Sequence, residues 1–332
     1  MPRSTPAHFF APVSFMATTT SSNDASRAIP AATTDLALPY ALVILSMLMW
    51  AGNWILARAV HDVIAPSALA FWRWALTALI LLPFAIRGLA RHRLTIRRRW
   101  PLLLVLAVTG AGVSHWMVYT GLRHTQAINA LLIFSTQPAW IVALTSLLGE
   151  ETVTRRQLAG VCLSFLGTLV IATRGDPAVL MHLGFNIGDL LIFIAMLPMA
   201  LYPILLKRHP TGLGTIETLF LIAIMAALLL VPLFVYDMFF GIQTTYTTPV
   251  LGSIAYVVLV ASVLAYLCFN RGVVALGANR SGFISHLMPV FGAIMAVIFL
   301  GESVQPFHAV GIVMIFTGVF MSTVPPRRRA TT

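Results

Sequence analysis

The chain has 332 residues, of which 59% are hydrophobic and only 9% charged. A soluble globular protein carries about 25% charged residues, so this chain cannot cover a water-exposed surface, and the ordinary soluble enzymes and binding modules are excluded. The balance of 21 Lys and Arg against 10 Asp and Glu is basic, yet the arginines sit in loops between apolar segments rather than on a basic domain, which points to membrane topology and not to nucleic acid.

Residues 1–38 are rich in Ser, Thr, Ala and Pro and read as a disordered cytoplasmic tail. The apolar patch His8–Ala17 lacks the basic start and cleavage site of a signal peptide, and either Met1 or Met16 could initiate the chain. A membrane span needs roughly 20 apolar residues. Such runs follow at about 40–60, 67–87, 101–121, 126–148, 157–173, 187–206, 215–236, 250–269, 281–300 and 306–323. All are expected to be helices, because lipid offers no partner to an unpaired backbone group. Residues 325–332 form a short basic cytoplasmic tail. Cys162 and Cys268 fall within spans, and no spacing suggests a disulfide or a metal site.

The second half repeats the first. At a shift of 151 residues Gly121 meets Gly272, Ala127 meets Ala278 and Pro138 meets Pro289; downstream, Gly160 meets Gly311, Phe165 meets Phe316 and Gly167 meets Gly318. The run Leu148-Gly149-Glu150 falls on Leu300-Gly301-Glu302 after a slip of one residue. The domains expected are therefore a first five-helix repeat at 39–174 and a second at 175–324. With the N-terminus cytoplasmic, 17 Lys and Arg lie in inner segments and three (Arg58, Arg123, Arg174) in outer ones, with Arg73 inside a span. That bias satisfies the positive-inside rule. Five spans per half is an odd number, so the two copies are inverted relative to one another. The fold class expected is an all-α integral membrane protein of ten helices with both termini cytoplasmic. Duplicated membrane halves suit a secondary transporter that works by rocking one repeat against the other.

Several local patterns point to one family. They are Trp50-Ala51-Gly52-Asn53 in the first span, Ala70-Phe71-Trp72-Arg73 in the second, and the run Tyr119, Gly121-Leu122, Ala127, Ala130, Pro138. Gly188-Asp189 opens the sixth span, and a Gly-Glu pair precedes a Gly-rich last helix in each half. With the repeat, these resemble the EamA-type branch of the drug/metabolite transporter superfamily over about residues 40–324. The resemblance implies an inner-membrane exporter of small molecules such as amino acids. It also implies a central cavity framed by the first, third and fourth spans and by the sixth, eighth and ninth.

The polar and aromatic residues of those spans make a candidate pocket: Trp50, Asn53, His115, Tyr119, Ser135, Gln137, Tyr202, Tyr266, Asn270 and His286. The bland alternative for each is a hydrogen bond between helices, worth about 0.6 kcal/mol. Arg73 is the one full charge well inside a span, and charge in hydrocarbon costs roughly 2.5–3.5 kcal/mol on insertion scales. It is expected either to snorkel beside Trp72 and Trp74, to pair with Asp189, or to meet an anionic substrate group. Histidine as a residue type titrates near neutral pH, so His115 or His286 could carry a proton, or could simply bond a carbonyl or hydroxyl of a neighbouring helix. Asp189 and Glu217 sit in first turns, where acids favour the positive dipole end, so coupling through a mid-span carboxylate has no support.

Pro138 and Pro289 are expected to kink their spans, and a hinge is the sharper reading. Gly160, Ser164 and Gly167, with Gly311 and Gly318, offer close-packing faces for scaffold contacts or for a homodimer seam. Glu150 and Glu302 are expected to cap the helices that follow them. No cofactor is expected, and the partners are a small-molecule substrate and the lipid bilayer, with proton coupling and a homodimer left open. An intramembrane enzyme would need a nucleophile–base pair or clustered carboxylates, and none is present. A nucleotide-sugar or sugar-phosphate carrier would show several deep Lys or Arg residues for phosphate, where only Arg73 qualifies. A carrier of drug-like compounds is the remaining alternative.

Overall fold

In the computed structural model, residues 36–149, 153–241, 243–300, 303 and 305–323 are described. Nearly all of the N-terminal tail, the basic C-terminal tail, Glu150 and Glu302 lie outside them. The described residues form helices and turns, with no strand among them. In chain order the helices are α1 (Ala37–Ala59), α2 (Pro66–Arg91), α3 (Arg93–Gly110), α4 (Gly112–His124), α5 (Ala127–Phe134), α6 (Gln137–Leu147), α7 (Arg155–Ala172) and the single turn α8 (Ala178–Met181). There follow α9 (Ile187–Arg208), α10 (Thr215–Phe240), α11 (Thr248–Val258), a π-helical stretch at Leu259–Leu264, α12 (Ala265–Leu276), α13 (Ala278–Ile284), α14 (Leu287–Leu300) and α15 (Pro306–Thr323).

Nine helical segments among the described residues are long and apolar enough to cross a bilayer: α1, α2, α3 with α4, α5 with α6, α7, α9, α10, α11 through α12, and α15. The run expected at 281–300 is divided between α13 and α14, of 7 and 14 residues, and neither piece reaches spanning length by itself. Two starts follow from local chemistry. Thr154 accepts the backbone N–H of Gln157, whose side chain reaches back to cap the Thr154 N–H, and Asn186 and Asp189 make the same reciprocal box at the start of α9.

The breaks differ from expectation. Pro138 and Pro289 do not kink continuous helices; each stands in the first turn of a new one, where its missing N–H would be an orphan anyway. The chain turns at Ser135–Thr136 and at Ser285–His286 instead. Neither of the other interruptions, Ala111 between α3 and α4 and the π stretch, was expected. The third span also begins earlier than expected, since the basic residues Arg93 and Arg97–Arg99 are already helical.

The helices pack in pairs: α7 on α15, α2 on α10, α4 on α9, and α1 on α12. In the first pair a Cβ at Gly160 would stand 2.5 Å from the Gly318 carbonyl oxygen and 2.9 Å from the Ser322 nitrogen, and one at Gly167 would stand 2.8 Å from the Gly311 oxygen. Gly160 opposite Gly318 and Gly167 opposite Gly311 is the order of an antiparallel pair. Glycine lets the two backbones touch. These small faces therefore meet within the chain, which removes them as a homodimer seam. α2 and α10 are antiparallel too: the Ser67 hydroxyl donates to Asp237 at 2.5 Å near one end, and Gly88 faces the Glu217 carboxylate near the other.

Candidate functional site

Where α1, α4, α9 and α12 converge, a cavity of about 60 Å³ lies among polar and aromatic side chains. Trp50, Asn53, His115, Tyr119, Gln137, Tyr202 and Tyr266 of the expected set line it, as does Arg73. Asn270 stands behind the wall, accepting from the Tyr202 hydroxyl at 2.9 Å. Ser135 and His286 instead line a second, larger cavity of about 980 Å³. Its rim carries Ala59, Gln126, Thr173, Arg174, Asp176, Phe307 and His308, all at helix ends or in the adjoining turns.

Trp54, Phe134, Ser285 and Met288 belong to the walls of both cavities. The Trp54 and Phe134 rings meet edge to face with centroids 4.5 Å apart. A thin partition of these side chains thus separates a chamber with room for a few waters from one as large as a metabolite pocket, roughly 300–1,000 Å³. Sequence reasoning missed Trp54, although it lies one helical turn beyond Trp50 and so on the same face.

Arg73 is buried, with 1% of its surface exposed. Its Nε donates to Ser262 Oγ at 2.8 Å, Nη1 to the Tyr119 hydroxyl at 2.8 Å and Nη2 to the Ala261 carbonyl at 3.2 Å. The guanidinium also lies 5.0 Å from the Trp74 ring centre and 6.0 Å from that of Tyr266, within cation–π range. Snorkelling is ruled out, because the charge points into the protein. So is the pairing with Asp189. That carboxylate accepts from the Thr125 hydroxyl, from Asn129 Nδ2 at 3.0 Å and from the Asn186 backbone N–H at 2.9 Å, tying α9 to the start of α5.

The π stretch explains how a carbonyl comes to serve Arg73. Widening the helix turn loosens the regular ladder, and the Ala261 oxygen accepts from both Arg73 and Trp50 Nε1, the latter at 2.9 Å. The break at Ala111 does the same in α3–α4. Its carbonyl accepts from Trp74 Nε1 at 3.2 Å and bonds His115 Nδ1 at 2.7 Å, while the Gly110 carbonyl accepts from the Tyr266 hydroxyl.

Both histidines are held. His115 is fixed by that carbonyl, with its Nε2 3.5 Å from the Tyr266 hydroxyl. His286 Nε2 donates to the Ser135 carbonyl at 2.9 Å, and its Nδ1 bonds the Ser164 hydroxyl. The ring therefore clasps α7, the α5–α6 turn and the α13–α14 turn together. Among the described residues two buried polar atoms close to the inner cavity have no protein partner: Ser281 Oγ, on the wall itself, and Asn270 Nδ2. Among the described residues no cluster of side chains is arranged to hold a metal ion.

Comparison with known proteins agrees with this architecture. A solved crystal structure superposes with a TM-score of 0.71 at 17% identity, over 86% of this chain and 96% of the other. The chain is 29% identical to an uncharacterised transporter of Archaeoglobus fulgidus, over 85% of this chain and 96% of that protein. It is 25% identical to the uncharacterised transporter YyaM of Bacillus subtilis, over 81% and 88%. A probable terminal-alkyne amino-acid exporter of Streptantibioticus cattleyicolor is 24% identical over 87% and 96%. The model of the EamA-like transporter family matches twice in tandem, at residues 37–173 and 186–324. The chain belongs to the EamA-like transporter family of membrane transporters.

Proposed function

We propose that this protein is a secondary exporter of amino acids or related small polar metabolites, working by alternating access across the inner membrane. In this reading ten spans form two inverted repeats, 39–174 and 175–324, with both termini cytoplasmic. The observation that carries the reading is the polar–aromatic chamber, lined by both halves and sharing a few wall side chains with a wide cavity. Under the orientation given by the arginines, the rim of the wide cavity faces away from the cytoplasm. The arrangement is then outward-facing.

The inverted repeat is supported by contacts between matched positions. Residues on a two-fold axis meet their own equivalents. His115 lies against Tyr266 and His286 bonds Ser135, and each pair is 151 apart in sequence. Off the axis, the antiparallel α7–α15 seam is reciprocal: Gly160 meets Gly318 while its equivalent Gly311 meets Gly167. The amino-acid assignment draws on the polarity of the chamber and on the exporter from Streptantibioticus cattleyicolor. Among the described residues Arg73 is the sole Lys or Arg on the inner wall, which disfavours a phosphate-bearing cargo.

Counterflow of labelled amino acids in proteoliposomes tests this directly. Saturable uptake of some amino acids and not others is expected. Equal or absent flux across the whole panel removes the substrate assignment. Repeating the assay with and without a pH gradient settles proton coupling. Because both histidines are engaged in packing bonds, His115→Asn and His286→Asn are expected to leave the pH profile of counterflow unchanged. A profile that flattens in one variant assigns the proton to that ring.

A further inference from the structure

We infer that Arg73 is the anchor for a carboxylate on the transported molecule, which makes the cargo a carboxylate-bearing metabolite rather than an amine or a neutral polar compound. This rests on the exporter reading above and adds to it the chemical group that is recognised. A guanidinium presents five N–H donors, and the three hydrogen bonds of Arg73 leave two without an acceptor among the described residues. Its three partners are a hydroxyl, a phenol and a carbonyl, all neutral. Among the described residues no Asp or Glu lies within ion-pair distance, and no Asp or Glu lines the inner cavity. A buried charge is ordinarily paired, and an unpaired one within a span marks a site by default.

Three further observations point the same way. The Ser281 hydroxyl lines the same cavity, fully buried and without a partner among the described residues, and can donate to a second oxygen. The π stretch offers Arg73 both the Ser262 hydroxyl and the Ala261 carbonyl, and these bonds hold the side chain in the interior rather than at the surface. Part of the remaining wall, Phe269 and Met288 with the Trp50 ring, is apolar and suits the carbon skeleton of a small organic acid. A planar fork of N–H groups matches a carboxylate in a bidentate manner.

The test uses the purified full-length protein in nanodiscs. Thermal-shift titration compares each of the twenty amino acids with its α-carboxamide, and inorganic phosphate is titrated alongside. At least one acid is expected to stabilise wild type, with its amide weaker by about tenfold or more, the loss of a hydrogen bond to a charged group. Arg73→Gln should abolish that preference and Arg73→Lys should keep part of it. The wild-type comparison of acid with amide stands even if Arg73→Gln fails to fold. Amides that bind as well as acids, phosphate that binds more tightly than every acid, or no acid binding at all would each overturn the anchor. Counterflow of a cargo without a carboxylate would sink this inference while leaving the exporter reading intact. Acid binding that needs Arg73 without flux of any amino acid would do the reverse.

Discussion

Replacing Gly318 by leucine is expected to lower the stability of the detergent-solubilised protein by about 3 kcal/mol, the upper part of the range for overpacking. The reason is the identity of the atoms in the way. A Cβ at Gly318 would strike the Gly160 carbonyl oxygen and lie 2.8 Å from Ser164 Cβ, so backbone and not a flexible side chain would have to move. The reciprocal change at Gly160 meets the same obstacle at 2.5 Å. Even alanine should be felt at either position. Gly252 provides the control: it is exposed, and a Cβ there would meet nothing within 4 Å. Thermal unfolding of Gly318→Leu and Gly252→Leu side by side decides the point. Equal midpoints would mean that α7 and α15 are not packed backbone to backbone.

Asp189→Ala is the second large effect, expected at about 3 kcal/mol because several buried donors lose one acceptor together. The Thr125 hydroxyl, Asn129 Nδ2 and the Asn186 N–H all converge on that carboxylate, which is fully buried. Removing it also takes an acid from the first turn of α9, where it faces the positive end of the helix. Asp189→Asn keeps the shape but turns one acceptor into a donor facing Asn129, so an intermediate loss is expected. A midpoint for Asp189→Ala within a degree of wild type would show that the three donors find other partners.

The positions of the apolar helices were legible in the sequence because a run of twenty apolar residues has few other uses. The places where helices break were legible only in part. Pro138 and Pro289 pointed to the right neighbourhoods, but the turns fall just before them, because proline fits a helix start better than a helix interior. Nothing in Leu259–Leu264 reads as a π stretch, and Ala111 has no breaker of its own beyond its two glycine neighbours. Arg73 stands out in the sequence as a charge inside a span, but the pattern offers only snorkelling, Asp189 or an anionic substrate as its outlet. The partners are a serine, a tyrosine and a carbonyl made available by that unreadable distortion. Asp189 was placed in the first turn of its helix correctly, but its link to Asn129 depends on how α5 lies across α9, which no local pattern encodes.

The Trp54–Phe134 partition has a kinetic corollary. An edge-to-face ring pair contributes about 0.5–1.5 kcal/mol beyond its buried area, an energy comparable to thermal agitation. Rotation of such rings is rapid beside collective helix motion, which runs on microseconds to milliseconds. In the alternating-access reading proposed above, passage between the two chambers is then not expected to set turnover. That reading leaves the slow step to collective motion of the helices, and the close glycine contacts of α7 with α15 would resist any part of it that separated those two backbones.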